Sequence, residues 1–459
     1  MRKEEISRIL EKQREFFVSG KTLDVKYRLH HISKLKKVIS EKEESIGNAI
    51  RSDLGKSAFE SYMCETGLAL DEASYMLKHG KKFSKEKRVR TPLPQFASRS
   101  FTHPSPYGNV LIMSPWNYPF LLTITPLIDA IVAGNTAIIK PSAYSPATSR
   151  IIEEIISEVF PPEYVSVVTG GREENAHLLD EKFDFIFFTG SMNVGKEVLS
   201  KAARHLTPAV LELGGKSPCI VNKSANISLA AKRIVFGKYL NCGQTCVAPD
   251  YILCDESIKD KFLQCVKKEI LSQYGENPLD SEDYGKIVNK KHFDRILSLI
   301  DDKKVVHGGK CNSETLKIEP TVMDGVTFDD AVMKEEIFGP IMPILTYKTT
   351  DEVIDIVNRG DKPLALYIFT SDKKVSKKII SSCIFGGGCI NDVVIHLATP
   401  HMGFGGVGES GMGAYHGKIG FETFSHRKSI VDKKTWLDLP MRYQPYKKIN
   451  EKLLHMFLK

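Results

Sequence analysis

The stretch TAIIKPSAYSPATSRIIEEIISEVFPPEYVSVV, residues 136–168, decides the fold class of this chain. It begins with the β-rich run TAIIK, ends with the β-rich run YVSVV and holds a helical connector between them. In the connector, Ser145 can cap a helix, Pro146 suits the first turn and Pro161 stops it. The apolar residues of the connector recur at helical spacing and form one face: Ile151, Ile152, Ile155, Ile156 and Val159. A strand, a crossover helix and a second strand predict a βαβ unit in a parallel sheet.

The same rhythm extends outward along the chain. We interpret the runs NVLIM (109–113) and FDFIFF (183–188) as two more strands, separated by segments of helical length. A second series of strands and helices starts near AVLELGGKSPCIVN (209–222) and predicts another α/β domain. Residues 24–53 carry apolar side chains at mostly helical spacing, so a helical beginning is predicted, with Gly55 as its stop.

Two further segments need an interpretation of their own. TPLPQFASRSFTHPSPYG (91–108) is rich in Pro, Ser and Thr without a helical period, which predicts a linker or a projecting β arm. YPFLLTITPLIDAIVAGNTAIIK (118–140) is long enough to span a bilayer by count, but Pro126, Asp129 and Gly134 interrupt it. A buried helix followed by a strand fits it better.

Size and charge exclude several classes of protein. With 459 residues, of which 42% are hydrophobic, the chain can bury large cores and should divide into two or more domains. The net charge of +8 comes from lysines scattered over many segments, as expected of a solvated surface. The sequence contains no array of interleaved aromatic and basic residues that would favour nucleic-acid binding.

Three glycine patterns differ in what they predict. GSMNVGKE (190–197) nearly matches a P-loop, but Glu197 stands where a Ser or Thr should bind magnesium, which disfavours nucleotide hydrolysis. Because it follows a predicted strand and opens a predicted helix, its backbone N–H groups can still face a pyrophosphate. GVGESG (406–411) spells a dinucleotide fingerprint without following a strand, so we reject it. GGG (386–388) predicts a tight turn.

Three polar side chains stand in segments suited to chemistry. Asn117, in MSPWNYPF (113–120), is either a turn residue or a neutral donor aimed at an oxygen that becomes negative. Glu212, in the apolar run AVLEL, is either a surface strand residue or a buried carboxyl whose raised pKa suits a general base. Cys246, in NCGQTCVAPDY (241–251), has neighbours compatible with an exposed, deprotonatable thiol; the alternative is a buried inert thiol.

The cysteine pattern indicates free thiols in a reducing compartment. Nine cysteines lack framework spacing, and the opening MRKEEISRILEK lacks the pattern of a signal peptide, so we expect a cytoplasmic protein. Cys242 and Cys246 form a C-x-x-x-C pair that could bind metal or form a disulfide. Because no His or Cys pair supplies two more zinc ligands at recognisable spacing, we predict no metal site.

Taken together, these motifs carry a resemblance to a known family. The chain resembles the NAD(P)-dependent aldehyde dehydrogenase superfamily in SPWNYPF, LELGGKSP, GQTCVAPDY, EEIFGP and GFGGVGESGMGAYHGKIGFETFSH. The last segment is similar to that of the class 3 and fatty aldehyde branch. The motifs occur in family order, Glu212 precedes Cys246 by the expected 34 positions, and the resemblance covers nearly the whole chain.

The resemblance implies roles for the three polar side chains. Cys246 would be the nucleophile that forms a thiohemiacetal and then a thioester. Asn117 and the backbone N–H of Cys246 would stabilise the alkoxide. Glu212 would be the general base that activates water to release a carboxylic acid.

The resemblance also implies a set of residues that bind the cofactor. They are Glu336 and Phe338 at the nicotinamide ribose, Lys140 at the adenosine ribose, Gly190, Ser191 and Gly195 near the pyrophosphate, and Trp116 along the cleft. His416 is expected near the substrate entrance. Where many relatives have an acid after Lys-Pro-Ser, this chain has Ala143, so less repulsion of a 2′-phosphate is expected. We therefore predict that NADP is accepted, alongside NAD.

The expected fold is α/β and aldehyde dehydrogenase-like, with a Rossmann-like cofactor domain, a catalytic α/β domain and a small β oligomerisation element. The implied boundaries are 1–80 and 106–211 for the NAD(P)-binding domain, 212–412 for the catalytic domain, 81–105 and 425–446 for the oligomerisation element, and 447–459 for a C-terminal tail. Class 3 relatives are typically dimers, so a homodimer is expected. The tail is too short to span a membrane.

The sequence leaves three other functions open. A CoA-acylating aldehyde dehydrogenase would pass the same thioester to a thiol carrier, but such relatives usually lack the base that Glu212 provides. A P-loop phosphotransferase is disfavoured by Glu197, and a non-catalytic protein of the same fold by the intact set of Asn117, Glu212 and Cys246. The resemblance suggests a medium-chain, long-chain or aromatic aldehyde as the small-molecule substrate.

Overall fold

The computed structural model describes residues 2–439 and 442–457. The α-helices of these residues are α1 (Lys3–Val18), α2 (Val25–Glu41), α3 (Glu43–Leu54), α4 (Ala58–Ser61), α5 (Gly67–Phe83), α6 (Leu121–Ala133), α7 (Pro146–Val159), α8 (Arg172–Asp180), α9 (Met192–Ala203), α10 (Ile227–Tyr239), α11 (Lys259–Tyr274), α12 (Lys290–Leu297), α13 (Thr350–Arg359), α14 (Lys373–Ser382), α15 (Gly417–Thr423) and α16 (Lys448–Phe457).

The β-strands are β1 (Lys87–Val89), β2 (Ser98–Pro106), β3 (Asn109–Met113), β4 (Thr136–Lys140), β5 (Val165–Val167), β6 (Phe185–Thr189), β7 (Ala209–Glu212), β8 (Pro218–Val221), β9 (Tyr251–Asp255), β10 (Val305–His307), β11 (Cys311–Asn312), β12 (Lys317–Ile318), β13 (Thr321–Met323), β14 (Ile341–Tyr347), β15 (Ala365–Phe369), β16 (Gly387–Ile390), β17 (Gly411–Met412) and β18 (Ser425–Lys433).

A six-stranded sheet contains the strands predicted from the opening motif. Its order is β17-β7-β6-β3-β4-β5, and all pairs are parallel except the antiparallel edge pair β17–β7. Alternate residues enter two different cores: Leu111 and Ile138 lie in one, Val110 and Ile139 in the other. Helices therefore cover both faces, which is why these strands are nearly all apolar in sequence.

The connector helix α7 forms where the sequence predicts it, but its cap comes from elsewhere. Ser145 is the N-cap residue, yet its side chain makes no capping hydrogen bond. Instead the carboxylate of Asp53 accepts the backbone N–H groups of Ala147 and Thr148, at 3.1 and 2.8 Å. The helical beginning is also divided, because Lys42 separates α2 from α3.

The apolar stretch 118–140 is a buried helix followed by a strand, as predicted. Helix α6 is buried along almost its whole length, and β4 follows after Gly134, whose φ is 105°. Within residues 2–439 and 442–457, no helix is both long enough and apolar enough to cross a membrane.

A second, seven-stranded sheet lies in the downstream half of the chain. Its order is β10-β13-β14-β9-β8-β15-β16, and only the edge pair β10–β13 is antiparallel. The predicted tight turn at 386–388 is wrong, because Gly387 and Gly388 belong to β16. A Cβ on Gly388 would lie 1.9 Å from the Leu366 carbonyl oxygen, so glycine here permits a close backbone approach rather than a turn.

The segment 91–108 is a β arm rather than an unstructured linker. Strand β2 pairs antiparallel along its length with β18, and β1 pairs on its other side. This three-stranded sheet joins the two segments predicted as an oligomerisation element, 81–105 and 425–446. Residues 440 and 441 of that element, and 458 and 459 of the predicted tail, lie outside the described residues.

Candidate active site

The site lies at the carboxyl ends of the parallel strands of the six-stranded sheet. Trp116 and Asn117 follow β3, Gly190 and Ser191 follow β6, and Glu212 ends β7. Strands β3 and β6 are neighbours, and the chain leaves them toward opposite edges of the sheet. Such a switch point opens a crevice between adjacent strand ends. A cavity of about 920 Å³ lies there.

Most of the residues predicted from the sequence line this cavity. They are Trp116, Asn117, Gly190, Ser191, Glu212, Cys246, Glu336 and Phe338. The residues predicted near the site that do not line it are Lys140, Gly195 and His416. The cavity also has an apolar lining that includes Leu122, Phe404 and Tyr415.

Cys246 is partly buried, and its thiol is not readily ionised in the isolated protein. Burial raises the pKa of the Cys246 thiol to about 12, and the nearby carboxylates of Glu336 and Glu212 act in the same direction. The backbone N–H groups of Cys246 and Val247 lower the pKa by a smaller amount. Cys246 is thus partly exposed to the cavity, as its sequence neighbours suggest, but burial disfavours its ionisation.

The loop before Cys246 is held rigidly by its own side chains. Asn241 and Cys242 have left-handed backbone conformations, with φ of 52° and 53°. Gln244 is fully buried, and its amide binds the carbonyls of Asn241 and Lys286 and the N–H of Val288, each at 3.0 Å. These contacts fix where the loop presents the sulfur.

Asn117 is attached to the same loop. Its amide nitrogen donates one hydrogen bond to the backbone carbonyl of Gln244 over 3.0 Å, and the side chain is 3% exposed. A primary amide has two N–H donors, so one of them stays available to the cavity that Asn117 and Cys246 share.

Glu212 has the environment of a general base. Burial raises the pKa of its carboxyl well above the ordinary value. Neither carboxylate oxygen has a hydrogen-bond partner within the described part of the chain. A Cβ on Gly405 would lie 3.0 Å from Glu212 Oε1, so this glycine leaves room beside the carboxyl group.

Glu336 is a second buried carboxyl group in the cavity. Burial, with a contribution from Asp250, raises the pKa of Glu336 to about 8, whereas the Gly215 backbone N–H lowers it. Its Oε1 atom has no partner among the described residues. The next residue is fixed on both sides, because Ile337 donates to Asp250 Oδ1 at 2.9 Å and accepts from Arg295 at 2.6 Å.

Aromatic side chains form one wall of the cavity. The Trp116 and Phe338 rings meet edge to face, with centroids 5.3 Å apart and planes at 78°. The His292 ring also packs against Trp116, with centroids 5.2 Å apart. Phe338 holds this position with a left-handed φ of 49°.

The GSMNVGKE segment has the strand–turn–helix context that the sequence predicts. Gly190 follows β6, Ser191 is the N-cap residue of α9, and the Ser191 side chain makes no capping hydrogen bond. Gly195, unlike Gly190 and Ser191, does not line the cavity. A Cβ there would lie 2.9 Å from a Leu213 methyl group. Gly195 lets α9 pack closely on the end of β7.

Two residues that do not line the cavity are held by internal contacts. Lys140 Nζ donates to the carbonyls of Pro141 and Gly170 at 2.8 and 2.7 Å, and burial lowers the pKa of Lys140 to about 8. His416, expected near the substrate entrance, is instead buried with its Nδ1 3.3 Å from Glu72 Oε2.

Comparison with known proteins decides the family. The Aldehyde dehydrogenase family matches residues 1–430. The chain belongs to this family.

Its relatives place this aldehyde dehydrogenase in the class 3 branch. It is 48% identical to a 4,4'-diaponeurosporen-aldehyde dehydrogenase of Staphylococcus aureus, covering 94% of this chain and 95% of the relative. It is 45% identical to the dimeric NADP-preferring aldehyde dehydrogenase of Mus musculus, covering 93% and 94%. It is 43% identical to the aldehyde dehydrogenase family 3 member A2 of Rattus norvegicus, covering 93% and 88%. The solved structure of the substrate-bound state of Staphylococcus aureus AldH superposes with a TM-score of 0.97 at 46% identity, covering 99% of both chains.

Family membership and geometry agree on the reaction class and fold. The chain is an NAD(P)-dependent oxidoreductase that oxidises aldehydes, built on the aldehyde dehydrogenase fold with a Rossmann-like sheet. In the described ranges, no group of three or more His, Cys, Asp or Glu side chains is arranged to hold a metal ion.

Three residues that the sequence did not single out support the site: Lys216, Asp250 and Arg295. Lys216 Nζ lies 2.5 Å from Asp250 Oδ2 and donates to the Glu335 carbonyl over 2.8 Å, so the pair holds the EEIFGP loop. Both residues stand inside motifs quoted for the family resemblance, LELGGKSP and GQTCVAPDY. Arg295 carried no comparable signal, because only folding brings α12 to that loop.

Proposed function

We propose that this aldehyde dehydrogenase oxidises medium-chain, long-chain or aromatic aldehydes to carboxylic acids through a covalent intermediate on Cys246. The observation that carries the proposal is that Cys246, Glu212 and Asn117, from three distant segments, line one cavity. The buried carboxyl of Glu212, which has no hydrogen-bond partner among the residues that the structure describes, places a base in the same cavity as the nucleophile.

Cys246 is the proposed nucleophile. Because the thiol has a pKa of about 12, it must transfer its proton as it attacks the aldehyde carbon. Glu212, with its raised pKa, is the proposed proton acceptor. Attack converts the carbonyl oxygen into an alkoxide, which the free N–H of Asn117 and the Cys246 backbone N–H stabilise.

The cavity fits a dinucleotide cofactor. Glu336 Oε1 is a buried acceptor without a partner among the described residues, suited to ribose hydroxyl groups, and Phe338 and Trp116 line the same cavity. Gly190 and Ser191 line the cavity where α9 begins; the Gly190 N–H is bonded to the Glu212 carbonyl over 3.0 Å, so the N–H groups of the first turn of α9 are the proposed donors to a pyrophosphate. When bound, the nicotinamide ring supplies the hydride acceptor. Gly195, proposed near the pyrophosphate, and Lys140, proposed at the adenosine ribose, do not line this cavity.

Glu212 completes the proposed cycle by hydrolysis. Oxidation leaves an acyl thioester on Cys246. Glu212, once it has released the thiol proton to solvent, removes a proton from the water that attacks the thioester; the carboxylic acid departs and the Cys246 thiolate takes a proton back. This step separates the proposal from a CoA-acylating enzyme, in which a thiol carrier takes the acyl group. Free acid as the product supports hydrolysis, and acyl-CoA would contradict it.

The cofactor and the assembly are proposed on separate grounds. Ala143 is exposed and places no carboxylate in the loop after β4, so we propose that NADP is accepted as well as NAD. The Mus musculus relative is named NADP-preferring and dimeric, which supports NADP use and a homodimer here.

We assign the oligomerisation role to the β1-β2-β18 sheet. We also propose a cytoplasmic location, because all nine cysteines of the chain are free.

The apolar lining carries the substrate proposal. Leu122, Phe404 and Tyr415 lie in the same cavity as Cys246 and offer surface for an aliphatic chain or an aromatic ring. The test is a series of aldehydes of increasing chain length, with benzaldehyde and a hydrophilic short aldehyde, assayed with NAD and with NADP by reduced-cofactor absorbance. A kcat/KM that rises with chain length is expected; a preference for the hydrophilic aldehyde would contradict the proposal.

A further inference from the structure

A buried ion pair outside the cavity has no part in the steps above. Lys56 Nζ lies 2.8 Å from Glu65 Oε1, and both side chains are fully buried. Burying two charges costs solvation energy that their attraction offsets only with additional hydrogen bonds, so such a pair is weak evidence for stability. The other contacts of the two groups therefore indicate what the pair does.

Both charges contact the turn that carries Asn117. Lys56 Nζ donates to the Asn117 carbonyl over 3.0 Å and lies 3.8 Å from the centre of the Tyr118 ring. Glu65 Oε2 accepts the backbone N–H groups at the start of α6, at 2.9 and 3.3 Å. The ion pair thus holds the turn at its beginning and at its end.

The same turn is attached to the nucleophile loop on its other side. The Asn117 amide binds the Gln244 carbonyl at 3.0 Å, and the Tyr118 hydroxyl lies 2.6 Å from Thr245 Oγ1. Thr245 immediately precedes Cys246. The ion pair, the turn and the nucleophile loop therefore form one continuous set of buried contacts.

Local backbone geometry places Glu65 for this role. It lies in a π-helical turn, Tyr62–Thr66, between α4 and α5. Such turns are rare and occur frequently at functional sites, because the extra residue changes the direction of a side chain. Here the turn directs a fully buried carboxylate toward the start of α6.

We propose that Lys56 and Glu65 are positioning residues for the oxyanion site. They hold the turn so that the second N–H of Asn117 faces the alkoxide formed on Cys246. This inference rests on the proposed function of Asn117. Neither residue lines the cavity, so both act through Asn117. A misplacement of 1 Å in an aligned group can cost about 10²-fold in rate, so loss of the pair should lower kcat more than it changes KM.

The test is a double-mutant cycle between Lys56→Met and Asn117→Ala in the full-length enzyme. We expect Lys56→Met to lower kcat by about 10-fold or more, with the aldehyde KM within about 3-fold of wild type. In the Asn117→Ala background, the same change should alter kcat by less than about 2-fold, because the group being positioned is gone. Lys304→Met, which breaks the partly buried pair with Asp330 outside the cavity, is the matched control and should leave kcat unchanged.

The possible outcomes separate three interpretations. If kcat per folded enzyme stays at the wild-type value, or falls by the same factor in both backgrounds, the positioning role is overturned. If Asn117→Ala alone keeps the wild-type kcat, the oxyanion assignment in the proposed function fails instead. Should Lys56→Met not fold, as judged by circular dichroism, Glu65→Gln replaces it in the same cycle, because the amide oxygen keeps an acceptor for the α6 N–H groups.

Discussion

The carboxylate of Glu336 occupies the space next to Gly214 where any other residue would carry its Cβ. An ideal Cβ on Gly214 would lie 2.2 Å from Glu336 Oε2 and 2.5 Å from Oε1. Gly214 follows Glu212 by two positions. The backbone just after the proposed base therefore borders the carboxylate of Glu336, which is proposed to bind the ribose. The overlap gives a structural reason for Gly214 in LELGGKSP.

Gly214→Ala should displace Glu336 and weaken cofactor binding. The added methyl group overlaps the carboxylate, which is confined because Asp250 and Arg295 fix the neighbouring Ile337. We expect the KM for NAD(P) to rise by about 10-fold, the effect of losing one or two hydrogen bonds, while the aldehyde KM changes little. Steady-state titrations of both substrates measure this.

The control for that substitution is Gly47→Ala. A Cβ at Gly47, within α3, meets nothing within 4 Å, so this change adds the same methyl group without an overlap. It should leave both KM values at the wild-type level. An unchanged cofactor KM in Gly214→Ala would show that cofactor binding does not require the Glu336 carboxylate to stay in this position.

Cofactor binding should depend on pH through Glu336. Its pKa of about 8 means that the carboxyl is mostly protonated at neutral pH and ionised above pH 8. The ionised form is the stronger acceptor for a ribose hydroxyl group at the unpartnered Oε1 atom, so the KM for NAD(P) should fall as the pH rises through about 8. Glu336→Gln should abolish this pH dependence. A wild-type KM that rises over the same range would contradict the assignment.

Glu212→Gln should slow turnover and stabilise the fold at once. Loss of a general base costs about 10²–10⁴-fold in rate, and hydrolysis of the thioester should become limiting. Because the folded-state pKa of Glu212 lies above the unfolded value of about 4.3, the folded protein loses stability as the pH rises between these values. The neutral amide avoids that cost, so the Tm of the variant should increase relative to that of the wild type as the pH rises. A lower Tm together with normal turnover would contradict both roles.

Ala143→Glu should shift the cofactor preference toward NAD. The exposed loop after β4 carries no acid at this position, and a carboxylate there would repel a 2′-phosphate. We expect kcat/KM with NADP to fall by about 10-fold and that with NAD to stay equal or rise. Ala143→Gln, of similar size but uncharged, is the control. If the ratio of kcat/KM with NADP to kcat/KM with NAD is unchanged in Ala143→Glu, the adenosine ribose does not bind near this position.

Local patterns made most of the fold predictable. The runs at 109–113, 136–140 and 183–188 are strands because buried parallel strands are apolar on both faces, a property visible in a short window. The cap of α7 was not predictable, because it depends on Asp53, which lies more than ninety positions upstream. Gly388 was misinterpreted for the same reason: the carbonyl that requires glycine belongs to Leu366 on another strand.

At the candidate site, too, motifs predicted which residues take part but not what surrounds them in the folded protein. Motifs identified Cys246, Glu212 and Asn117, and folding placed all three in one cavity. The ionisation of Cys246 could not be judged from its sequence neighbours, because its pKa is raised by burial and, to a smaller extent, by the carboxyl groups at positions 336 and 212. The Lys56–Glu65 pair gave no sequence signal, since only its burial distinguishes it from surface charges.

The most direct test of the account is mass spectrometry of the enzyme quenched during the first turnover with a long-chain aldehyde and NAD(P). The account predicts one acyl group on the peptide that contains Cys246, formed at the rate of the first equivalent of reduced cofactor and accumulating further in Glu212→Gln. Reduced cofactor without any adduct on that peptide, or a Cys246→Ala variant that turns over at the wild-type rate, would contradict it.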